Sequence, residues 1–379
     1  MGRYSSLMST ETSALAFAVT PASHVTAPEK RERLLADPGF GRIFTDHMVR
    51  IDWKLDLGWH NAVLTGYAPL QLDPGVSVLH YAQAVFEGLK AFRQADGGIA
   101  VFRPDAHAAR FRRSARRLAL PELPDSVFIE AIDRLLTIDG SWVPSAPEHS
   151  MYLRPFMFAS EVGLGVHPSS EVTFLLIGSP SGSYFPSGVK PVTVWLSEDF
   201  SRAVAGGTGE AKTGGNYAGG LLAQAQAAEK GCDQVVWLDA HEHRWVEEMG
   251  GMNLCFVFGS GRSARLLTPA LTGTLLPGVT RDSLLKLAAD LGYRAEEGKI
   301  SKEEWRTGCA DGSLTEVFAC GTAAVITPVA AVKSAHGSWM VGDGKPGEVS
   351  MRLRKSLVDI QRGAAPDTHH WLHPVAPSL

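Results

Sequence analysis

Residues 210–239, EAKTGGNYAGGLLAQAQAAEKGCDQVVWLD, place a lysine, Lys212, in a turn with almost no side-chain bulk around it. The glycines mark a loop. The alanine-rich run after them reads as a helix over 218–230, and QVVWLD reads as a strand. A loop, helix and strand in 30 residues point to a mixed α+β or α/β fold. Taken alone, Lys212 is a solvated surface charge. The spacing speaks against a phosphate-binding P-loop, because that motif needs Gly directly before the lysine and Ala211 stands there. The third reading is a Schiff-base lysine, which needs open space beside it for a flat aromatic aldehyde and an amine that can lose its proton.

The rest of the chain narrows these readings. It has 379 residues, 45% hydrophobic and 20% charged, with 36 basic against 40 acidic side chains. That length suits two domains, and the slight acidity gives no support to nucleic-acid binding. No apolar run reaches membrane-spanning length, and SALAFAV (13–19) is too short for a signal peptide. Four cysteines without a CxxC pair read as reduced thiols in a cytoplasmic protein, with no disulfide framework and no metal site. Residues 1–35 read as a flexible leader, 36–178 as a smaller N-terminal α/β domain, 179–189 as an interdomain loop, and 190–379 as a larger C-terminal domain that holds Lys212. MYLRPFMF (151–158) and EVTFLLIGSP (171–180) read as strands, and a DGG turn (96–98) as a hairpin. Residues 106–120 read as an amphipathic helix with a solvated arginine face, and Ser301 with Glu304 as a capping box.

A Schiff-base lysine needs partners for a phosphorylated pyridine: a carboxylate for the ring nitrogen, a cradle of amides for the phosphate, and a fixed cation. EEMGGMN (247–253) offers the carboxylate. GVTR (278–281) and CGTAA (320–324) offer amides, and Arg103 offers the cation. Each has a bland alternative, namely a surface carboxylate, a plain helix start or a surface ion pair. Their joint occurrence in one chain favours the cofactor.

The motifs FTDHM (44–48), FEGLKAFR (86–93), FRP (102–104), YLRP (152–155), GSYF (182–185), KTGGNYAGG (212–220), EMGGMN (248–253), LPGVTR (276–281) and CGTAAVI (320–326) occur in this order. With them the chain resembles the branched-chain amino acid aminotransferases, fold-type IV pyridoxal-phosphate enzymes, from about residue 40 to about 361. The resemblance implies the two-domain D-amino acid aminotransferase-like fold and pyridoxal 5'-phosphate as cofactor. It implies Lys212 as the covalent and proton-shuttling residue, Glu248 on the ring nitrogen and Tyr217 on the ring oxygen. Arg103, Val279, Thr280 and Thr322 would hold the phosphate. Tyr152, Thr322 and Ala323 would take the substrate α-carboxylate, and Arg154 the side-chain carboxylate of glutamate. Phe86 and Tyr184, with Tyr81, Leu164 and Val166 of a partner subunit, would wall the apolar pocket of a homodimer with a shared active site. The implied reaction is transamination between L-leucine, L-isoleucine or L-valine and 2-oxoglutarate. A D-amino acid aminotransferase or aminodeoxychorismate lyase would keep Lys212, Glu248 and the phosphate cradle. A non-catalytic cofactor-holding protein is disfavoured by the intact Lys212, Tyr217 and Glu248.

Overall fold

The computed structural model describes residues 15–183 and 188–376. These residues form two compact units, divided between Ser183 and Tyr184, and the chain from His370 onward belongs to the first.

The first unit is built on a nine-stranded sheet. Its centre is the long antiparallel pair Ser150–Ala159 and Glu171–Ser181, in register from Ser150↔Ser181 to Ala159↔Val172. Both strands read from the sequence are present. The second extends to Ser181, so the expected interdomain loop begins later than residue 179. The DGG turn joins Leu89–Arg93 to Ile99–Phe102 as an antiparallel hairpin. One face of the sheet is covered by the helices Pro104–Arg117 and Asp125–Asp139, whose Phe111 and Phe128 pack on Phe174 of the sheet. Burial of such aromatic area is the main favourable term in assembling this layer.

Three expectations require correction. The leader is not wholly loose: Ala18–Thr20 forms a parallel strand on Gly58–Gly66. The Ala22 amide donates to His47 Nε2 at 3.1 Å, and Thr26 bonds Asp46 through both its amide and its hydroxyl. The segment is thus tied to the FTDHM stretch by polar groups with no periodic signature. Second, residues 370–376 do not belong with the second unit. Leu372–Val375 pairs antiparallel with Ile99–Phe102, so the two units are of comparable size. Third, the arginine face of the helix Pro104–Arg117 is not all solvated, because Arg110 is buried, 4% exposed, on Glu87.

The second unit holds another nine-stranded sheet. Val246–Met249, Gln234–Leu238, Val192–Leu196, Val325–Ser334, Leu314–Gly321 and Met252–Phe258 pair in that order. A final pairing of Met252–Phe258 with Val246–Met249 closes them into a ring. Within this ring each of the six strands is paired on both sides and presents no open edge. The helix expected over 218–230 is observed as Gly214–Ala218 and Leu221–Glu229. The Ser301 capping box is complete, with the Ser301 hydroxyl accepting from the Glu304 amide and the Glu304 carboxylate from the Ser301 amide. No helix among the described residues is long and apolar enough to cross a membrane.

Candidate active site

In the second unit the strand Val246–Met249 turns at Gly250 and Gly251 and returns as Met252–Phe258, with Glu248 opposite Asn253. Glu248 is 1% exposed. Its Oε1 accepts from Asn253 Nδ2 at 3.0 Å and from the Leu276 amide at 2.8 Å. Its Oε2 lies 2.8 Å from Arg202 Nε. Burial pushes the carboxyl up to about 7, and the Arg202 guanidinium pulls it back toward the ionised form. The carboxylate is therefore fixed in direction and poised in charge, as expected of a group that must answer a second cation.

Lys212 follows Ala211, whose carbonyl accepts from Asn216 Nδ2 at 2.9 Å. The same amide group bonds the Thr208 carbonyl at 2.7 Å, so one side chain ties the glycine-rich loop together. Lys212 Nζ donates to the Tyr217 hydroxyl at 2.8 Å. The Tyr217 ring rests on Gly251, where an added Cβ would lie 3.1 Å from the ring. Glycine there lets the lysine–tyrosine pair approach the strand that carries Glu248. A cavity of about 170 Å³ is lined by Arg202, Tyr217, Trp237, Glu248, Gly250 and Leu276.

Beyond Glu248, Asn253 also bonds the Leu276 carbonyl at 3.1 Å and lies against Gly278. Gly278 caps the helix Val279–Asp290. The amides of Val279 and Thr280, in its first turn, have no acceptor within the helix. Arg281 is committed elsewhere, to Glu297 and the Pro269 carbonyl. Thr322 and Ala323 lie in the tight turn between Leu314–Gly321 and Val325–Ser334, where the β-branched Val325 holds φ 64°. A branched residue adopts that conformation only under constraint.

In the first unit Arg154 Nη2 donates to the Tyr152 hydroxyl at 3.2 Å. Its guanidinium stands 4.9 Å from the centroid of Phe86 and 5.3 Å from that of Tyr152. An apolar wall and a cation thus share one cluster. Arg103, at φ 49°, caps the helix Pro104–Arg117 and stacks 5.3 Å over Trp371. Tyr81 donates from its hydroxyl to the Leu164 carbonyl. Tyr81, Leu164 and Val166 are exposed by 41%, 66% and 82%. Tyr184 lies outside the described residues. The structure therefore gathers Lys212, Tyr217, Glu248 and the Val279 turn in one unit, and Phe86, Tyr152 and Arg154 in the other.

The family model for amino-transferase class IV matches residues 84–332. The branched-chain-amino-acid aminotransferase of Mycolicibacterium smegmatis is 61% identical over 94% of this chain and 98% of its own. The chain belongs to the class IV aminotransferases.

Two solved structures of the T.th. branched-chain amino acid aminotransferase share its fold. One carries pyridoxamine 5'-phosphate (TM-score 0.70, 29% identity, 86% of this chain and 98% of that one). The other carries N-(5'-phosphopyridoxyl)-L-glutamate (TM-score 0.67, 28% identity, with the same coverage). Class IV aminotransferases work with pyridoxal 5'-phosphate. The donor set described above fits that group: an amine, a phenol, a buried carboxylate and helix-start amides within one unit.

Two residues that bond Glu248 are not singled out by the sequence. Arg202 is a single arginine in a loop, and only the fold brings it to Glu248. Asn253 lies in a motif but gains its meaning from the strand register that sets it opposite Glu248.

Gly88 provides a test of the first-unit cluster. A Cβ there would fall on the Tyr152 hydroxyl. Moving that hydroxyl off a substrate carboxylate would lose a hydrogen bond to a charged group, about 1.5–3 kcal/mol. Gly88→Ala is expected to lower kcat/KM for the amino acid substrate by roughly 10–100-fold, given that 1.4 kcal/mol is a factor of ten. Steady-state kinetics beside a Tyr152→Phe control checks this. An unchanged kcat/KM would remove Tyr152 from the site.

Proposed function

We propose that this chain exchanges the amino group between a branched-chain L-amino acid (leucine, isoleucine or valine) and 2-oxoglutarate. The observation that carries the reading is Lys212 held on Tyr217 beside the Glu248–Arg202 pair, in a chain alike over nearly its whole length to a branched-chain-amino-acid aminotransferase. When bound, pyridoxal phosphate supplies an electron sink for the substrate's α-carbon. The protein's part is to bind, orient and move a proton.

Lys212 Nζ is the base that removes the α-proton and the acid that returns it. Its bond to the Tyr217 hydroxyl fixes the direction in which that nitrogen points. Glu248, held by Asn253 and the Leu276 amide, would pair with the ring nitrogen and keep it protonated. Arg202 offsets part of the burial penalty and draws Glu248 back toward the ionised form. The amides of Val279 and Thr280, the Thr322 hydroxyl and the Arg103 cation would hold the phosphate. Tyr152 with the amides of Thr322 and Ala323 takes the α-carboxylate. Arg154 on the Phe86 ring suits a pocket that must accept an alkyl chain in one half-reaction and a carboxylate in the other. Such a site alternates between two substrates without holding both, which is ping-pong behaviour.

The protein works as a cytoplasmic homodimer. The exposure of Tyr81, Leu164 and Val166 supports a partner surface there, since clustered exposed apolar groups mark contact sites. Purified protein with pyridoxal phosphate, L-leucine and 2-oxoglutarate is expected to form glutamate, and D-alanine in place of L-leucine is not. Glutamate from D-alanine alone would overturn the substrate assignment. No product from either substrate would favour a lyase or a cofactor-holding role.

A further inference from the structure

Glu87 lies between Phe86 and Gly88 and is completely buried. Its Oε1 accepts from Arg110 Nε at 2.7 Å. Its Oε2 accepts from Arg110 Nη2 at 2.8 Å, from His107 Nδ1 at 2.7 Å and from the Gly88 amide at 3.2 Å. Its own amide donates to the Pro155 carbonyl, 2.7 Å away, on the residue after Arg154. The guanidinium and imidazole beside it hold the carboxyl well below the usual range, so it is an anion inside a core.

Such a network is costly to build. Bringing three ionisable groups out of water offsets much of their mutual attraction, and apolar residues of the same volume often stabilise a core as well. Burial of charge here therefore suggests a geometric use. His107 and Arg110 are one turn apart on the helix Pro104–Arg117. The His107 amide donates to the Arg103 carbonyl at 3.2 Å. Arg103 is held in the left-handed region, which an arginine adopts only when its surroundings impose it. At the other end of the network, Phe86 packs on Arg154 and Gly88 leaves room for the Tyr152 hydroxyl.

We propose that Glu87, through Arg110 and His107, is a positioning residue that sets Arg103 for the cofactor phosphate and the 86–88 segment for Tyr152 and Arg154. This rests on the roles assigned to Arg103 and Tyr152 under the proposed function. A two-pronged Arg–carboxylate contact fixes both distance and orientation, which a single contact or an apolar pair does not.

The test compares Glu87→Gln with the charge-free double variant Glu87→Leu/Arg110→Leu. Three quantities are read: the Tm of the cofactor-free protein, the Kd for pyridoxal phosphate against that for pyridoxal, and KM and kcat for L-leucine. Glu87→Gln is expected to weaken pyridoxal phosphate binding about tenfold or more while pyridoxal changes less than about twofold, and to raise KM more than it lowers kcat. The double variant is expected to recover Tm but neither the phosphate-dependent affinity nor KM. Recovery of Tm, affinity and KM together would reduce the network to a packing element and overturn the positioning role. Wild-type affinity and KM in a folded Glu87→Gln would do the same. A wild-type protein that neither binds pyridoxal phosphate nor transaminates L-leucine would instead overturn the underlying function, and this inference with it.

Discussion

Lys212→Ala is expected to abolish transamination, with a fall of about 10⁴-fold or more. In the proposed roles of Lys212 the variant would lose both the covalent attachment of the cofactor and the proton transfer at the α-carbon, and general acid–base help alone contributes about 10²–10⁴. The loop around it is expected to stay folded. Asn216, not Lys212, ties the loop together through the carbonyls of Thr208 and Ala211. Two measurements decide the matter. Glutamate production from L-leucine should vanish, and borohydride treatment should no longer trap the cofactor on the peptide that spans residue 212. Activity within tenfold of the parent protein would mean that another amine does the chemistry.

The second large effect is expected at Glu248. Glu248→Gln keeps the shape and an acceptor for Asn253 and the Leu276 amide, but loses the charge. A carboxamide cannot hold a pyridine nitrogen protonated, and kcat is expected to fall by about 10²-fold, the scale seen when a positioned electrostatic partner is removed. An independent signature lies in the cofactor-free protein. Burial raises the Glu248 carboxyl from 4.5 to about 7. Between those values the folded chain keeps a proton that the unfolded chain has lost. Stability therefore decreases as pH rises through this window, and the loss persists above it. The expected contribution is about 3 kcal/mol between pH 5 and pH 8, from 1.36 kcal/mol per unit. Groups whose shifts come from their own surroundings, such as Asp239, act alike in both proteins and cancel in the difference. Denaturant melts of cofactor-free wild type and Glu248→Gln at both pH values check this. Parallel pH dependence would show that Glu248 does not titrate in this window.

Elements with a local cause were legible in the sequence. The alternation in MYLRPFMF marks a strand whatever lies beside it, and Ser301 with Glu304 closes its own capping box. The ordered motifs gave the fold family for the same reason, since they are local strings. What stayed hidden depends on distant partners. Arg110 sits on a helix with several other arginines, and nothing in the spacing tells which one turns inward to Glu87. Arg202 becomes meaningful only where the chain folds it onto Glu248, 46 positions later. Glu247 and Glu248 are both buried neighbours, but Glu247 bonds Thr274 while Glu248 meets Asn253, Leu276 and Arg202. The leader and the C-terminal strand lacked signals because a three- or four-residue strand borrows its stability from the edge it joins.

The strand Leu372–Val375 also bears on how the chain is made. Its partner Ile99–Phe102 lies about 270 residues earlier, with the whole second unit between them. A ribosome that emits the chain from its N-terminus can complete the ring of strands around Glu248 while the first sheet still has an open edge at Ile99–Phe102. Arg103 meanwhile lacks the Trp371 carbonyl that accepts its amide and the indole beneath its guanidinium. The nascent chain can therefore pass through a stage with one finished half and one unsealed half, and that exposed edge is where a chaperone, or a neighbouring nascent chain, would find it.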